Sequence, residues 1–260
     1  MNNTEKPMET NKNMAIKLQN VSKSFFSEGV EKVVLKNINL EIKQGESYVL
    51  IGGSGTGKSV LIKSIMGILD IDKGDIFLDG VEVSKIPKNK RIKMKSSIGM
   101  LFQGGALFDS MSVCDNVVFG INVHNRLSKE EAKNIAVENL ELVGLDSSVL
   151  SLYPSELSGG MQKRVAFARL IATKPKIVFF DEPTSGLDPI MSNVINDLII
   201  KTTKYLGATS FTITHDMGSA KKIADRIGML YKAEIVWEGT PNSINTADNK
   251  TLNNFINGIY

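Results

Sequence analysis

The chain has 260 residues, of which 42% are hydrophobic, and its formal net charge is +3. This length and apolar content suffice to bury the core of one large domain, or of one domain with a smaller lobe. The charge excess is too small to indicate a nucleic-acid partner, and no apolar run approaches the ~20 residues of a membrane span or forms a secretory signal. We therefore expect a globular protein of the cytoplasm.

The first third of the chain predicts short strands and then a helix. Residues 1–13 are polar and aperiodic and are expected to form a disordered tail. Four β-type segments follow, at residues 16–21, 33–35, 38–42 and 48–51. The last of them runs into a glycine-rich loop, and an apolar-periodic helix is predicted over 60–69. Strand, glycine loop and helix in this order are the setting of a phosphate-binding loop.

The remainder of the chain alternates helices with apolar strands. Ser128 and Glu131 form a capping-box pattern ahead of a helix that Gly144 is expected to end. Further helices are predicted at about 161–172, 190–205 and 219–224, and strands at 177–180 and 210–214. This alternation indicates an α/β fold with a mostly parallel, doubly wound sheet.

The glycine-rich loop matches the eight-residue phosphate-binding pattern in full, with Gly52, Gly53, Ser54, Gly55, Thr56, Gly57, Lys58 and Ser59. Glycines allow backbone N–H groups to point into a concave nest, and the following helix presents its positive end to an anion. We expect Lys58 to reach the β- and γ-phosphates and the Ser59 hydroxyl to ligate Mg²⁺. Val60, the next residue, completes the predicted nucleotide contacts.

A pair of carboxylates follows the predicted strand at 177–180. Asp181 and Glu182 would lie at the carboxyl end of that strand, where open α/β sheets bind their ligands. Asp181 is expected on the Mg²⁺ side, and Glu182 is expected to orient or deprotonate the attacking water. An acidic pair often ends a strand without any function, but beside a phosphate loop it indicates nucleotide hydrolysis.

A second glycine-rich turn, Ser158, Gly159 and Gly160, lies between Leu157 and Met161 at the start of a predicted helix. Its hydroxyl and backbone N–H groups would form another anion site at a helix N-terminus. Taken alone, however, this tripeptide is more often an ordinary turn.

From Met14 onward, the order of these elements resembles the ATPase subunits of ABC transporters. Residues 157–161 are similar to the signature sequence of that family, and residues 185–188 are similar to its D-loop. Gln103 corresponds to the Q-loop glutamine and His215 to the switch histidine. The resemblance implies that Gln103 serves Mg²⁺ or the attacking water, while His215 donates to the γ-phosphate and holds the catalytic glutamate.

The resemblance also implies an architecture and a dimer. We expect a P-loop NTPase core with a mostly parallel sheet, an N-terminal antiparallel β region and a helical lobe at about 104–172. The ATPase domain would span 14–245, followed by a C-terminal helical segment at 246–260. Phe25 would stack on the adenine of ATP, with Phe26 as the alternative. Two copies would enclose two nucleotides, with Ser158, Gly159 and Gly160 contacting the ATP held by the other copy.

A narrower resemblance, to the ATPases of Mla phospholipid transporters, rests on residues 104–113, Met161 and residues 255–258. It implies Mla-type permease subunits that are contacted through Ala106, Leu107 and Phe108. It also implies an MCE-domain lipid carrier, a small STAS-type subunit, a peripheral position on the cytoplasmic face of the inner membrane, and lipid as the cargo.

Three other functions compete with this interpretation. A GTP-binding switch would require an Asn-Lys-x-Asp segment, and residues 89–92 and 249–252 both lack the aspartate. An ABC ATPase acting on DNA or the ribosome would carry a long coiled-coil insert or a second cassette, for which the interval from Lys58 to Ser158 has no room. An importer for a polar solute, such as an amino acid, remains the open alternative.

Overall fold

The computed structural model describes residues 13–87, 97–123 and 126–259. The predicted tail up to residue 12 and the final Tyr260 lie outside these ranges. The strands are β1 (Met14–Ser27), β2 (Val30–Lys43), β3 (Ser47–Ile51), β4 (Lys73–Leu78), β5 (Val81–Glu82), β6 (Ile98–Leu101), β7 (Ile177–Asp181), β8 (Thr209–Thr214), β9 (Arg226–Tyr231) and β10 (Glu234–Gly239). The α-helices are α1 (Lys58–Ile65), α2 (Val113–Asn122), α3 (Lys129–Leu142), α4 (Gly159–Ala172), α5 (Pro189–Leu206), α6 (Met217–Ile223) and α7 (Lys250–Ile256).

The central sheet has the strand order β10-β9-β3-β8-β7-β6. Its strands β9, β3, β8, β7 and β6 run parallel, and β10 pairs antiparallel with β9. The prediction of a mostly parallel sheet is therefore confirmed. Because parallel strands end at the same edge, the residues after β3, β6, β7 and β8 come close to one another there.

Strand β3 separates two hydrophobic cores. Its side chains alternate between the two faces of the sheet, as the period of a β-strand requires. Val49 and Ile51 pack into a core with the helices of the lobe. Tyr48 and Leu50 pack into the other core, together with α1 and the N-terminal strands. All four side chains are fully buried, so the strand that leads into the phosphate loop is held from both faces.

The second sheet is antiparallel, with the order β2-β1-β4-β5, in agreement with the expected N-terminal β region. The segments predicted at 33–35 and 38–42 belong to one strand, β2, which corrects the sequence interpretation. Asn37 has a left-handed φ of 50°, and the Lys36 amide donates to the Ala233 carbonyl at 2.8 Å. Strand β2 continues past Lys36 and Asn37, although its pairing with β1 is irregular there.

The helical lobe is formed by α2, α3 and α4, which pack against one another. The predicted capping box is confirmed at the start of α3, where Ser128 and Glu131 bond each other's backbone. Helix α2 was not predicted, and it begins where Ser112 accepts from the Asp115 amide at 3.1 Å. Helix α1 ends at Ile65 rather than near residue 69, since the chain turns at Gly67, with a φ of 64°.

None of the helices in the described part of the chain has the length and apolar character that crossing a membrane requires. The helix nearest the C-terminus, α7, lies within the predicted segment at 246–260 and packs Leu252 and Phe255 into the core of the lobe side.

Candidate nucleotide-hydrolysis site

The phosphate loop connects β3 to α1, and packing within the chain fixes its shape. Gly57 has a φ of 108°, and a Cβ at this position would lie 2.7 Å from the Val34 carbonyl oxygen. A Cβ at Gly52 would lie 2.5 Å from the Leu230 carbonyl oxygen. The Thr56 hydroxyl donates to the Gly53 carbonyl at 2.9 Å. Glycine is thus required here by sterics as well as by the conformation of the backbone.

The N-terminus of α1 suits an anion. No side chain in the described ranges caps this helix, and its first turn contains no acidic residue. The first amides of a helix have no partner within the helix, and its macrodipole favours negative charge at this end. Lys58, Ser59 and Val60 form this first turn, so the predicted phosphate contacts come together at one point.

Lys58 is buried behind the loop. Its ammonium donates to the carbonyls of Gly52 at 2.7 Å and Gly53 at 3.0 Å, and Nζ lies 3.7 Å from Glu182 Oε1. Burial lowers the pKa of Lys58, against the opposing effect of the carboxylates of Glu182 and Asp181. The cation is therefore held beside the carboxylates, at the point where the phosphates of a nucleotide would add negative charge.

Asp181 and Glu182 stand at the carboxyl end of β7. Burial, together with the adjacent Glu182 charge, raises the pKa of Asp181. The Glu182 amide donates to the Ile213 carbonyl of β8 at 2.9 Å, and Glu182 has a left-handed φ of 47°. The left-handed region is unusual for a residue with a long side chain, and such strain is concentrated at functional sites.

His215 follows β8 and contacts the same glutamate. Its Nδ1 lies 2.9 Å from Glu182 Oε2. Gln103 follows β6, and its amide donates to the Ser185 hydroxyl at 3.0 Å. The structure thus joins Lys58, Glu182 and His215 through direct contacts and links Gln103 to the segment after Glu182.

The signature turn, which consists of residues 158–160, and the aromatic residues lie on other elements. Ser158 caps α4 by accepting from the Met161 amide at 3.3 Å, a contact within its own helix. Phe25 is 40% exposed on β1, with Lys23 Nζ 5.4 Å from its ring centroid, whereas Phe26 is 77% exposed. The contacts described for these residues do not join them to the phosphate loop. Their predicted nucleotide contacts remain predictions.

The residues predicted to hold Mg²⁺ have the donor atoms that this ion prefers. Within the described ranges, no group of three or more His, Cys, Asp or Glu side chains could hold a metal ion. The predicted donors Ser59, Gln103 and Asp181 carry oxygen atoms, which Mg²⁺ prefers, and Mg²⁺ commonly takes its other ligands from water and substrate phosphates. The residues therefore fit an ion that binds together with a nucleotide.

The segment predicted to contact a permease is only partly exposed. Ala106 and Phe108 are exposed, whereas Leu107 is half-buried against the core of the lobe. The Phe108 ring packs on Phe119 at 4.5 Å between centroids, and the Arg169 guanidinium lies 5.6 Å from it.

Sequence reasoning missed Lys163 on α4, which contacts the segment directly after Glu182. One signal was available. Lys163 shares the helical spacing of Ala166, Phe167 and Leu170, all of which are buried, so it is a cation on an apolar stripe.

The loop at the edge of a parallel sheet, with a lysine, two carboxylates and a histidine gathered beside it, defines a P-loop nucleoside triphosphatase. The family model described as "ABC transporter" matches residues 35–185. The chain belongs to this family and is an ATP-binding, ATP-hydrolysing subunit.

Relatives with different transport names match the chain. It is 37% identical over 228 residues to the intermembrane phospholipid transport system ATP-binding protein MlaF of Haemophilus influenzae, covering 88% of this chain and 86% of that protein. It is 36% identical over 245 residues to the probable ribonucleotide transport ATP-binding protein mkl of Mycobacterium leprae, covering 94% and 69%. It is 41% identical over 212 residues to the methionine import ATP-binding protein MetN of Carboxydothermus hydrogenoformans, covering 81% and 62%.

Solved structures of ATP-binding cassettes share the fold. A dimeric post-hydrolysis state of the cassette MJ0796, bound to ADP and Pi, superposes with a TM-score of 0.80 at 31% identity. The match covers 87% of this chain and 98% of that one. The predicted fold class is thereby confirmed.

Proposed function

We propose that this ATPase energises an ABC transporter that moves phospholipid or another lipid between membranes. The observation that carries the proposal is the match to the phospholipid transport ATPase, which spans 88% of this chain and 86% of that protein. The importer relative has a higher identity, but the match covers 62% of its length. The match to the phospholipid relative thus covers nearly the whole of both chains, whereas the match to the importer relative does not.

Hydrolysis is assigned to residues at the edge of the central sheet. Glu182 accepts a proton from the attacking water, and His215 holds its carboxylate through the 2.9 Å contact. Lys58 binds the β- and γ-phosphates, and the phosphate loop donates backbone N–H groups to them. Mg²⁺, held by Ser59, Asp181 and Gln103, would neutralise the developing charge on the phosphates.

A second copy of the chain completes the site in this proposal. Ser158 and Gly159 are exposed and Gly160 is half-buried at the N-terminus of α4, where the dipole and the first amides favour an anion. They would contact the ATP that the other copy holds, while Phe25 stacks on the adenine within its own copy. The dimeric state of the structural relative bound to ADP and Pi supports this arrangement.

The permease is proposed to dock beside the Q-loop. A groove of about 520 Å³ opens there and is lined mainly by apolar side chains. Its lining includes Met66, Ile68, Phe102, Ala106, Phe108 and Phe119. Apolar surfaces of this kind commonly mark interaction sites for other proteins. Ala106 and Phe108 are therefore retained as permease contacts, with Leu107 supporting them from the core.

The lipid assignment is tested by purifying the full chain from detergent-solubilised membranes of its own cells and identifying the subunits that accompany it. We expect an Mla-type permease, an MCE-domain carrier and a small STAS-type subunit, recovered from the inner membrane with this chain on its cytoplasmic face. A permease accompanied by a receptor for amino acids or nucleotides would replace the lipid assignment with the importer alternative.

A further inference from the structure

The segment directly after Glu182 is fastened to the helix of the signature turn. The Lys163 ammonium on α4 donates to the Pro183 carbonyl at 2.8 Å and lies 3.4 Å from the Ser185 carbonyl. These two acceptors are one and three residues beyond Glu182. A single side chain of α4 thus bonds the backbone on both sides of Thr184.

The same segment is tied to the turn that carries the switch histidine. The hydroxyls of Thr184 and Ser219 lie 3.2 Å apart, and both residues are buried. Ser219 also donates to Asp216 at 2.6 Å and accepts from the Asn196 amide at 2.9 Å. Asp216 follows His215 directly, so this cluster fixes the His215 turn while Lys163 fixes the segment from the other helix.

Packing alone does not account for a lysine at position 163. The side chain is 9% exposed and lies on an apolar stripe of α4. Burial lowers the pKa of the Lys163 ammonium. A buried cation whose contacts are backbone carbonyls is generally less favourable than an apolar side chain of similar volume. A methionine would fill the same space without this cost.

We infer that Lys163 is a positioning residue for ATP hydrolysis, because it fixes the segment after Glu182 to α4 and thereby sets the place of the Glu182 carboxylate. The inference rests on the role proposed for Glu182. A displacement of α4, which Ser158 caps, would be passed on to Glu182 through these two hydrogen bonds. Lys163 itself acts only through this backbone and needs no contact with the nucleotide.

The test is ATP hydrolysis and ATP binding by the full chain carrying Lys163→Met, which keeps an unbranched side chain as far as Cε and removes the ammonium. We expect kcat to fall by about tenfold or more, since small displacements of a catalytic group have effects of this size. ATP affinity should stay within about twofold, because the phosphate loop is untouched. Lys163→Arg, which keeps a cationic donor, should recover most of the rate.

A matched control is Lys201→Met. Lys201 also donates to a backbone carbonyl between two helices, that of Leu142 at 3.1 Å, but it lies on the surface away from the site. It should hydrolyse ATP normally. If Lys163→Met does not fold, as judged by its melting curve, Lys163→Gln serves in its place, because its shorter amide cannot reach both carbonyls.

The Glu182→Gln background separates the two hypotheses. If Lys163 acts through Glu182, Lys163→Met should lower the residual rate of Glu182→Gln no further. A normal kcat in Lys163→Met beside a slow Glu182→Gln would overturn the Lys163 inference alone, and so would two losses that multiply in the double variant. Normal turnover in Glu182→Gln would overturn the role of Glu182 and, with it, the role of Lys163.

Discussion

Helices α1 and α4 both begin after glycine-rich turns, but the contacts that surround the glycines differ between the two turns. At Gly57 an added Cβ would collide with the backbone of Val34, and the φ of 108° itself disfavours a side chain. At Gly159 an added Cβ would meet no heavy atom within 4 Å. Ser158 caps α4 with its side chain, whereas α1 has no side-chain cap among the described residues.

This difference separates two reasons for a glycine. The phosphate loop needs glycine so that the chain can fold around it, and a nucleotide then binds to a shape that already exists. In the signature turn, Gly159 meets no such need, and a Cβ at Gly160 would lie 2.7 Å from the flexible end of the Met191 side chain rather than from backbone. Small residues that the chain itself does not require leave space for a molecule outside it, which supports the proposed contact with the nucleotide of a second copy.

The largest effect is expected from Glu182→Gln. This variant should abolish most hydrolysis while leaving the signature turn able to bind the second nucleotide. The amide cannot accept the proton of the attacking water, so hydrolysis should fall by roughly 10² to 10⁴. ATP binding should persist, and ATP-bound dimers should accumulate if the signature turn engages the second nucleotide. Single-turnover hydrolysis and size-exclusion chromatography with ATP check both outcomes.

The control for this variant is Glu141→Gln, an exposed glutamate of α3 that should retain full activity. A Glu182→Gln chain that stays monomeric with saturating ATP would show that the signature turn has no role in binding a second nucleotide.

Lys58→Ala should have the next largest effect, on the phosphate-loop side alone. It removes the ammonium that stands 3.7 Å from Glu182 Oε1 and leaves the phosphate charge less compensated. A charge-assisted hydrogen bond contributes about 1.5–3 kcal/mol, so ATP affinity should fall by about 10- to 150-fold. Calorimetric titration with ATP measures the change, and Lys204→Ala on the exposed surface of α5 should bind normally. Unaltered affinity in Lys58→Ala would disprove the loop assignment.

The glycine pair tests the comparison itself. Gly57→Ala should lower the free energy of unfolding by about 2 kcal/mol or more, because a strained φ and a backbone collision are combined. Gly159→Ala should change it by less than about 0.5 kcal/mol, as at an ordinary surface position. Thermal and denaturant unfolding of the two variants, without nucleotide, give these values side by side.

A second measurement on Gly159→Ala addresses the dimer. In the Glu182→Gln background, the added methyl group should weaken ATP-driven dimerisation by about 1–3 kcal/mol, the usual cost of overpacking a close contact. Equal losses of stability in Gly57→Ala and Gly159→Ala would remove the distinction between the two turns.

Local patterns predicted the parts of the fold whose signals lie close together in sequence. The phosphate loop, the Ser128 capping box and the apolar run at 177–180 each combine several signals within a few residues. Strands β4 and β5 were missed because Lys73, Gly74 and Asp75 give no apolar alternation. Strand β5 pairs with β4, and β4 pairs with β1, which lies more than about 50 residues earlier in the chain. Such pairing depends on tertiary contacts that no local window contains.

The candidate site shows the same limit. Lys58, Glu182 and His215 were identified by motif, but the contacts that join them depend on the order of β3, β8 and β7 in the sheet. Lys163 was missed because its acceptors are backbone carbonyls 20 and 22 residues away, and a carbonyl carries no sequence signature. A cation on an apolar stripe was the signal that pointed to it.

The left-handed backbone of Glu182 sets a limit on engineering this protein for heat tolerance. A non-glycine residue in this conformation costs about 1 kcal/mol or more, and glycine would remove that cost. A screen that selects for thermal stability alone would therefore favour loss of the carboxylate at this position and yield thermostable but inactive variants. Stabilising changes are better sought on exposed helix surfaces far from the ends of β7 and β8, where stability and activity do not conflict.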